Sequence, residues 1–158
     1  MTIGGIFETA ASRSTTQSRR WLLMAMLALV MLVGALPARP AMASAALIAA
    51  SGEAVGGLGA CGNNKGKDLY NCVADVLDRL NSRIASINVP ETHRALQAAS
   101  EGLRAANSKT QAISALARCK AAISALIQRA RAVGGDYAGV TAISGVLSRA
   151  IQLIQSKG

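Results

Sequence analysis

Apolar positions along the chain follow two regimes. Leu22 to Leu36 is an unbroken apolar run without a charge, whereas from Asp68 onward apolar residues recur at three- and four-residue steps. The run is shorter than the roughly 20 residues a comfortable membrane span needs. In the periodic part, Leu69, Val73, Val76, Leu80, Ile84 and Ile87 share one face, which predicts a helix from Asp68, a favourable N-cap, to about Ile87. Asn88-Val89-Pro90 stops that helix, and Pro90 suits the first position of the next. From Glu91 to Val133 there is no proline and one internal glycine, Gly102. Leu96, Ala99, Leu103 and Ala106 form one stripe, and Ile113, Leu116, Ile123, Ile127 and Ala130 a second. The two are in phase, which favours one long, bent helix over 91–133. Ser108 and Gln111, spaced as a capping box, would instead split it at Asn107. Gly134-Gly135 ends this segment. Asp136 caps a last helix from Tyr137 to about Gln155, with Val140, Ile143, Leu147, Ile151 and Ile154 facing inward.

The first regime has the layout of an export signal. A polar stretch ending in Arg19-Arg20 precedes the apolar run, Pro37 and Pro40 break it, and Ala41-Met42-Ala43 places small residues where a signal peptidase reads them. Residues 1–43 are therefore expected to be a signal peptide, cut between Ala43 and Ser44 or, in the second frame, after Ala45. An uncleaved anchor is the competing reading, and the short run with its adjacent cleavage frames weighs against it. Ser18-Arg19-Arg20-Trp21-Leu22-Leu23 resembles the twin-arginine export motif, and Arg39 behind the run is consistent with that route. Leu58-Gly59-Ala60-Cys61 resembles a lipoprotein cleavage box. It stands some twenty residues too far downstream, so a periplasmic or secreted bacterial protein is the expectation.

Between signal and first periodic helix, residues 44–67 are rich in Gly, Ala and Ser, and read as a flexible linker to a helical domain over 68–158. Gly62-Asn63-Asn64-Lys65-Gly66-Lys67 lacks the spacing and the preceding strand of a phosphate loop. Ala-Ile-Ser recurs at 112–114, 122–124 and 142–144, at spacings that match no repeat architecture.

Composition sharpens the fold class. Cleavage after Ala43 leaves 115 of the 158 residues, enough for one domain, with Tyr70 and Tyr137 its only aromatic residues. A core of Ala, Leu, Ile and Val suits close-packed helices rather than sheets. The expectation is all-α: a small antiparallel bundle of three or four helices.

The processed chain carries thirteen Lys and Arg against seven Asp and Glu, a net +6. That favours anionic surfaces. The cations are spread over the helices, bunched only at Arg118-Cys119-Lys120 and Arg129-Ala130-Arg131, a pattern that ordinarily marks a solvated face.

Three cysteines in an exported chain imply one disulfide and one thiol left over. Folding a continuous 91–133 helix back about Val89 brings Cys119 level with Cys61, so Cys61–Cys119 is the favoured pair. Cys72–Cys119 fits a split helix, and Cys61–Cys72 is the local alternative. No Cys-x-x-Cys motif is present to suggest redox catalysis.

Candidate chemistry is thin. His93 is the sole histidine, in a polar first turn, and one histidine with dispersed cysteines does not make a zinc pattern. There is no Gly-x-Ser-x-Gly turn to mount a nucleophile. Asp75 and Asp78 could pair on one helix, but Arg79 and Arg83 make them part of a surface charge pattern. The expected function is non-enzymatic and cofactor-free: an exported interaction or envelope-associated protein. Its partner is expected to be a protein docking on a helix face, with Val140 to Ile154 the candidate. The alternative is a membrane or lipopolysaccharide surface contacted through the net charge and an amphipathic last helix. Without aromatic platforms or a dense basic stripe, nucleic acid is not the expected partner.

Overall fold

A computed structural model describes residues 39–158, which form one compact unit. The apolar run and the Arg19-Arg20 motif lie outside the described residues. Among those described the fold is all-helical, with five α-helices: α1 (Arg39–Ala60), α2 (Gly66–Arg83), α3 (Pro90–Ala105), α4 (Lys109–Ala132) and α5 (Ala138–Lys157).

The periodic faces go where their spacing sends them. Leu69, Val73, Val76, Leu80 and Ile84 are buried, as are Leu96, Ala99, Leu103, Leu116, Ile123, Ile143, Leu147 and Ile154. The turns are short, so consecutive helices pack as antiparallel neighbours. Glu53 of α1 meets Arg83 near the end of α2, and Arg104 at the end of α3 reaches back to Asp75 and Asp78 of α2. Glu91 at the start of α3 meets Arg129 near the end of α4. Five such helices leave the first and last running the same way, and here they close the ring side by side. Ser44 Oγ of α1 accepts a hydrogen bond from the Gly139 amide at the start of α5 (2.9 Å).

Two expectations are corrected. Residues 44–60 are not a flexible linker. They belong to α1, which buries Leu47, Ala50, Ala54 and Leu58 against α2 and α5. Those four residues have helical spacing, and the intervening glycines obscure it. The long 91–133 helix is likewise two helices. Ala106 and Ser108 take extended backbone, Ser108 Oγ accepts from the Gln111 amide (3.3 Å), and Gln111 Oε1 accepts from the Asn107 amide (2.8 Å). Lys67 Nζ donates to the Arg104 and Ala106 carbonyls at the other side of the break. The in-phase stripes survive because both helices turn their faces to the same core. The bundle thus has five helices where three or four were expected. α4 itself ends as its glycines predict: Gly134 sits at φ +67°, its amide bonds the Arg131 carbonyl, and the Gly135 amide bonds that of Ala130.

Two helix contacts are too tight for a larger residue, and a third is close. A Cβ on Gly139 would stand 2.6 Å from Leu47 Cβ, one on Gly102 2.8 Å from Ala115 Cβ, and one on Gly57 3.1 Å from Val76 Cγ2. Gly52, on the exposed side of α1, has open space around it. Gly139→Ala and Gly102→Ala are therefore expected to destabilise the protein by about 1–3 kcal/mol in denaturant titrations. Gly52→Ala should stabilise it by about 0.5–1 kcal/mol. Equal effects at the three positions would contradict this packing.

Candidate functional site

The cysteines are placed by the corner between α1 and α2. After Ala60 a single 3-10 turn, Cys61–Asn63, redirects the chain. Cys61 lands beside Cys72 of α2, with Cα atoms 5.8 Å apart, and the two form a disulfide. The expected Cys61–Cys119 pair is not formed. Because 44–60 is helical rather than loose, Cys61 is held at the corner, and Cys119 lies on the core side of α4. The bridge occupies the Cys61 sulfur, which a lipoprotein would need free for acylation. Cys119 is a free thiol, 4 % exposed, and burial pushes its pKa up to about 12. At neutral pH it is a thiol and a weak nucleophile.

The other candidates are drawn into structural contacts. His93 Nδ1 and Asn81 Oδ1 are 2.7 Å apart. The ring thereby ties the start of α3 to the last turn of α2. Asp75 and Asp78 both bind Arg104, at 2.7 and 2.6 Å. Neither acid pairs with the other, and neither takes the neighbour expected from sequence: Arg79 Nε donates to the Asp75 carbonyl and Arg83 pairs with Glu53. Hydrogen bonds to Asp78 and then Asp75 hold the Arg104 guanidinium above its ordinary pKa. These pairs are exposed, so each contributes about 0.2–1 kcal/mol. Ala43 and Ser44, the expected cleavage position, are half-buried in the first turns of α1. Cleavage after Ala43 keeps the Ser44–Gly139 hydrogen bond, and cleavage after Ala45 removes it.

Two of the surface depressions lie between neighbouring helices. One, about 400 Å³, lies between α1 and α2, floored by Ala54, Gly57 and Val76 and rimmed by the Glu53–Arg83 pair. The other, about 360 Å³, lies between α3 and α4 and is lined by alanines with Arg118 and Cys119. In the first, Ser82 Oγ donates to the Asp78 carbonyl and Glu53 pairs with Arg83. Among the described residues no group of three His, Cys, Asp or Glu side chains could hold a metal ion.

The docking face expected on α5 is occupied. Ile143, Leu147 and Ile154 are fully buried, and Val140 and Ile151 are half-buried. Exposed apolar side chains are found instead on α1, where Ile48 is 49 % and Val55 38 % exposed, and in the α4–α5 turn, at Val133 and Tyr137. Ala43–Asn63 is also long and apolar enough, by length and composition, to cross a membrane, although its Leu47, Ala50, Ala54 and Leu58 sit in the bundle core.

Charge is the strongest asymmetry, and the even spread read from the sequence conceals it. Residues 44–108 hold six cations and six acids. Residues 109–158 hold seven cations (Lys109, Arg118, Lys120, Arg129, Arg131, Arg149 and Lys157) and one acid, Asp136. The net +6 of residues 44–158 thus belongs to α4, α5 and their turn. α4 has five cations and no acid, and among the described residues only Arg129 of the seven is in an ion pair. Arg131 lies over the Tyr137 ring, 4.8 Å from its centroid. Counting charge helix by helix would have exposed this without a structure.

Disulfide mapping of the purified protein should return a Cys61–Cys72 peptide. Native alkylation should leave Cys119 unmodified, with reaction on unfolding. The Cys61→Ala/Cys72→Ala variant should lose about 3 kcal/mol of stability, the value for a loop this short. A Cys119-containing bridge would refute the arrangement.

Compared with protein-family models, curated proteins and solved structures, the chain matches none.

Proposed function

We propose that this is an exported, non-catalytic binding protein that works at the bacterial envelope and whose ligand is an anionic surface. The observation carrying the reading is the confinement of the net positive charge to α4, α5 and their turn, while four of the six acids of the other helices, Glu53, Asp75, Asp78 and Glu91, pair with Arg83, Arg104 and Arg129. Structural needs explain part of that charge, since Arg129 and Arg131 in the last turn of α4 suit its helix dipole. They do not explain Lys109, which occupies the first turn of α4, where a cation opposes the dipole and no acid offsets it. The export signal read from residues 1–43 would supply the compartment, and the charged face, rather than an amphipathic last helix, would make the contact.

A second reading rests on α1. Ile48 and Val55 are exposed on one flank of that helix, nearly half a turn away from its exposed Glu53, which suits an apolar protein partner.

Sedimentation with vesicles separates the two. The protein as purified from expressing cells, its N-terminus fixed by intact mass, should pellet with phosphatidylglycerol-containing vesicles at low salt. It should release at about 0.5 M salt, where screening is short-ranged. It should not pellet with phosphatidylcholine vesicles. No binding to anionic vesicles at low salt sinks the anionic-surface reading and leaves the α1 reading.

A further inference from the structure

Building on the anionic-surface reading, we infer that the outward face of α4 is the contact site, and that it lies flat on a phosphate-bearing lipid surface. Helical phase divides the cations of α4 into two rows. Lys109, Lys120 and Arg131 are eleven residues apart, three turns, so they lie along one line. Arg118 and Arg129 are also eleven apart and lie along a second line about half a turn away. Buried Ala112, Leu116, Cys119, Ile123 and Ile127 occupy the arc between the rows on the core side. On the solvent side the arc carries Thr110, Ser114, Ala117, Ala121, Ala125 and Gln128, all exposed and none charged. The outward face is a strip of short side chains edged on both sides by cations and free of acids along its whole length.

This geometry selects the occupant. Successive cations within a row are about 16 Å apart along the axis. That is too far for two of them to share one phosphate, so a small anion is not the match. A planar array of phosphates is: short side chains let the helix approach the plane, while Lys and Arg reach down from both edges on flexible stems. The strip has no aromatic platform for a single strand, and apart from Gln128 its side chains are too short to reach base edges in a duplex groove. The first-turn Lys109 and the pairing of Arg129 with Glu91 of α3 both fit. The row facing α3 is partly neutralised, and the other row, Lys109-Lys120-Arg131, is free of ion pairs among the described residues.

The test compares two variants of equal charge change. Lys109→Gln/Arg118→Gln/Lys120→Gln removes three cations from the face. Lys65→Gln/Arg79→Gln/Arg94→Gln removes three from elsewhere, and thermal unfolding checks that both variants are folded. The face variant should lose affinity for phosphatidylglycerol vesicles on the order of 100-fold, at about 1 kcal/mol per cation near such a surface. The control should lose much less. Equal losses would overturn the face while keeping the net-charge reading, and absent wild-type binding would overturn both. Binding of duplex DNA through these cations without vesicle binding would overturn the lipid surface as occupant.

Discussion

Five helices joined by short turns can close into a ring only if the first and last lie parallel. The contact that permits this is the one between Leu47 and Gly139. Any side chain on Gly139 would collide with Leu47, so the α1–α5 seam exists because that position has no Cβ. The Ser44–Gly139 hydrogen bond lies at the same place and fixes the register. Without this seam, the apolar face of α5 would be open, and α1 would be the loose tail its composition suggests. With it, Ile143, Leu147 and Ile154 disappear into the core, and the bundle presents its charged helix outward.

Much of the fold was legible in the residues. Every apolar stripe from Leu69 to Ile154 identified a buried face, and Gly134-Gly135 and Asp136 marked their turn correctly, with Asp136 Oδ1 accepting from the Ala138 amide. Two elements were misread for related reasons. In α1, Leu47, Ala50, Ala54 and Leu58 keep helical spacing, but Gly52, Gly56, Gly57 and Gly59 give the segment the composition of a linker. Of these, Gly57 serves the close approach of α1 to Val76. At Asn107-Ser108, a seven-residue step preserves phase whether the chain continues or reverses. Phase could not distinguish the two, and the caps decided it. The disulfide followed from those errors, because the Cys61–Cys119 pairing presumed both a loose linker and a continuous helix.

The residues pointed to no positive chemical site. His93, Asp75 and Asp78 each resolve into contacts that join α2 to α3. Arg104, the common partner of Asp75 and Asp78, could not be foreseen, because those two acids lie more than twenty residues away on another helix. The segregation of charge was present in the sequence throughout, since it needs only a count per helix. It acquires meaning once α4 is known to be a separate helix with one face in the core and the other in solvent.

Hydrogen exchange of the backbone amides tests the closed ring most directly, because both the buried α5 face and the outward α4 face depend on α1 being part of the fold. Amides from Leu47 to Ala60 should exchange as slowly as those in the centres of α2 and α5, through the same global opening. Rapid exchange across that stretch, with slow exchange elsewhere, would make α1 a tail, reopen the α5 face and contradict the account.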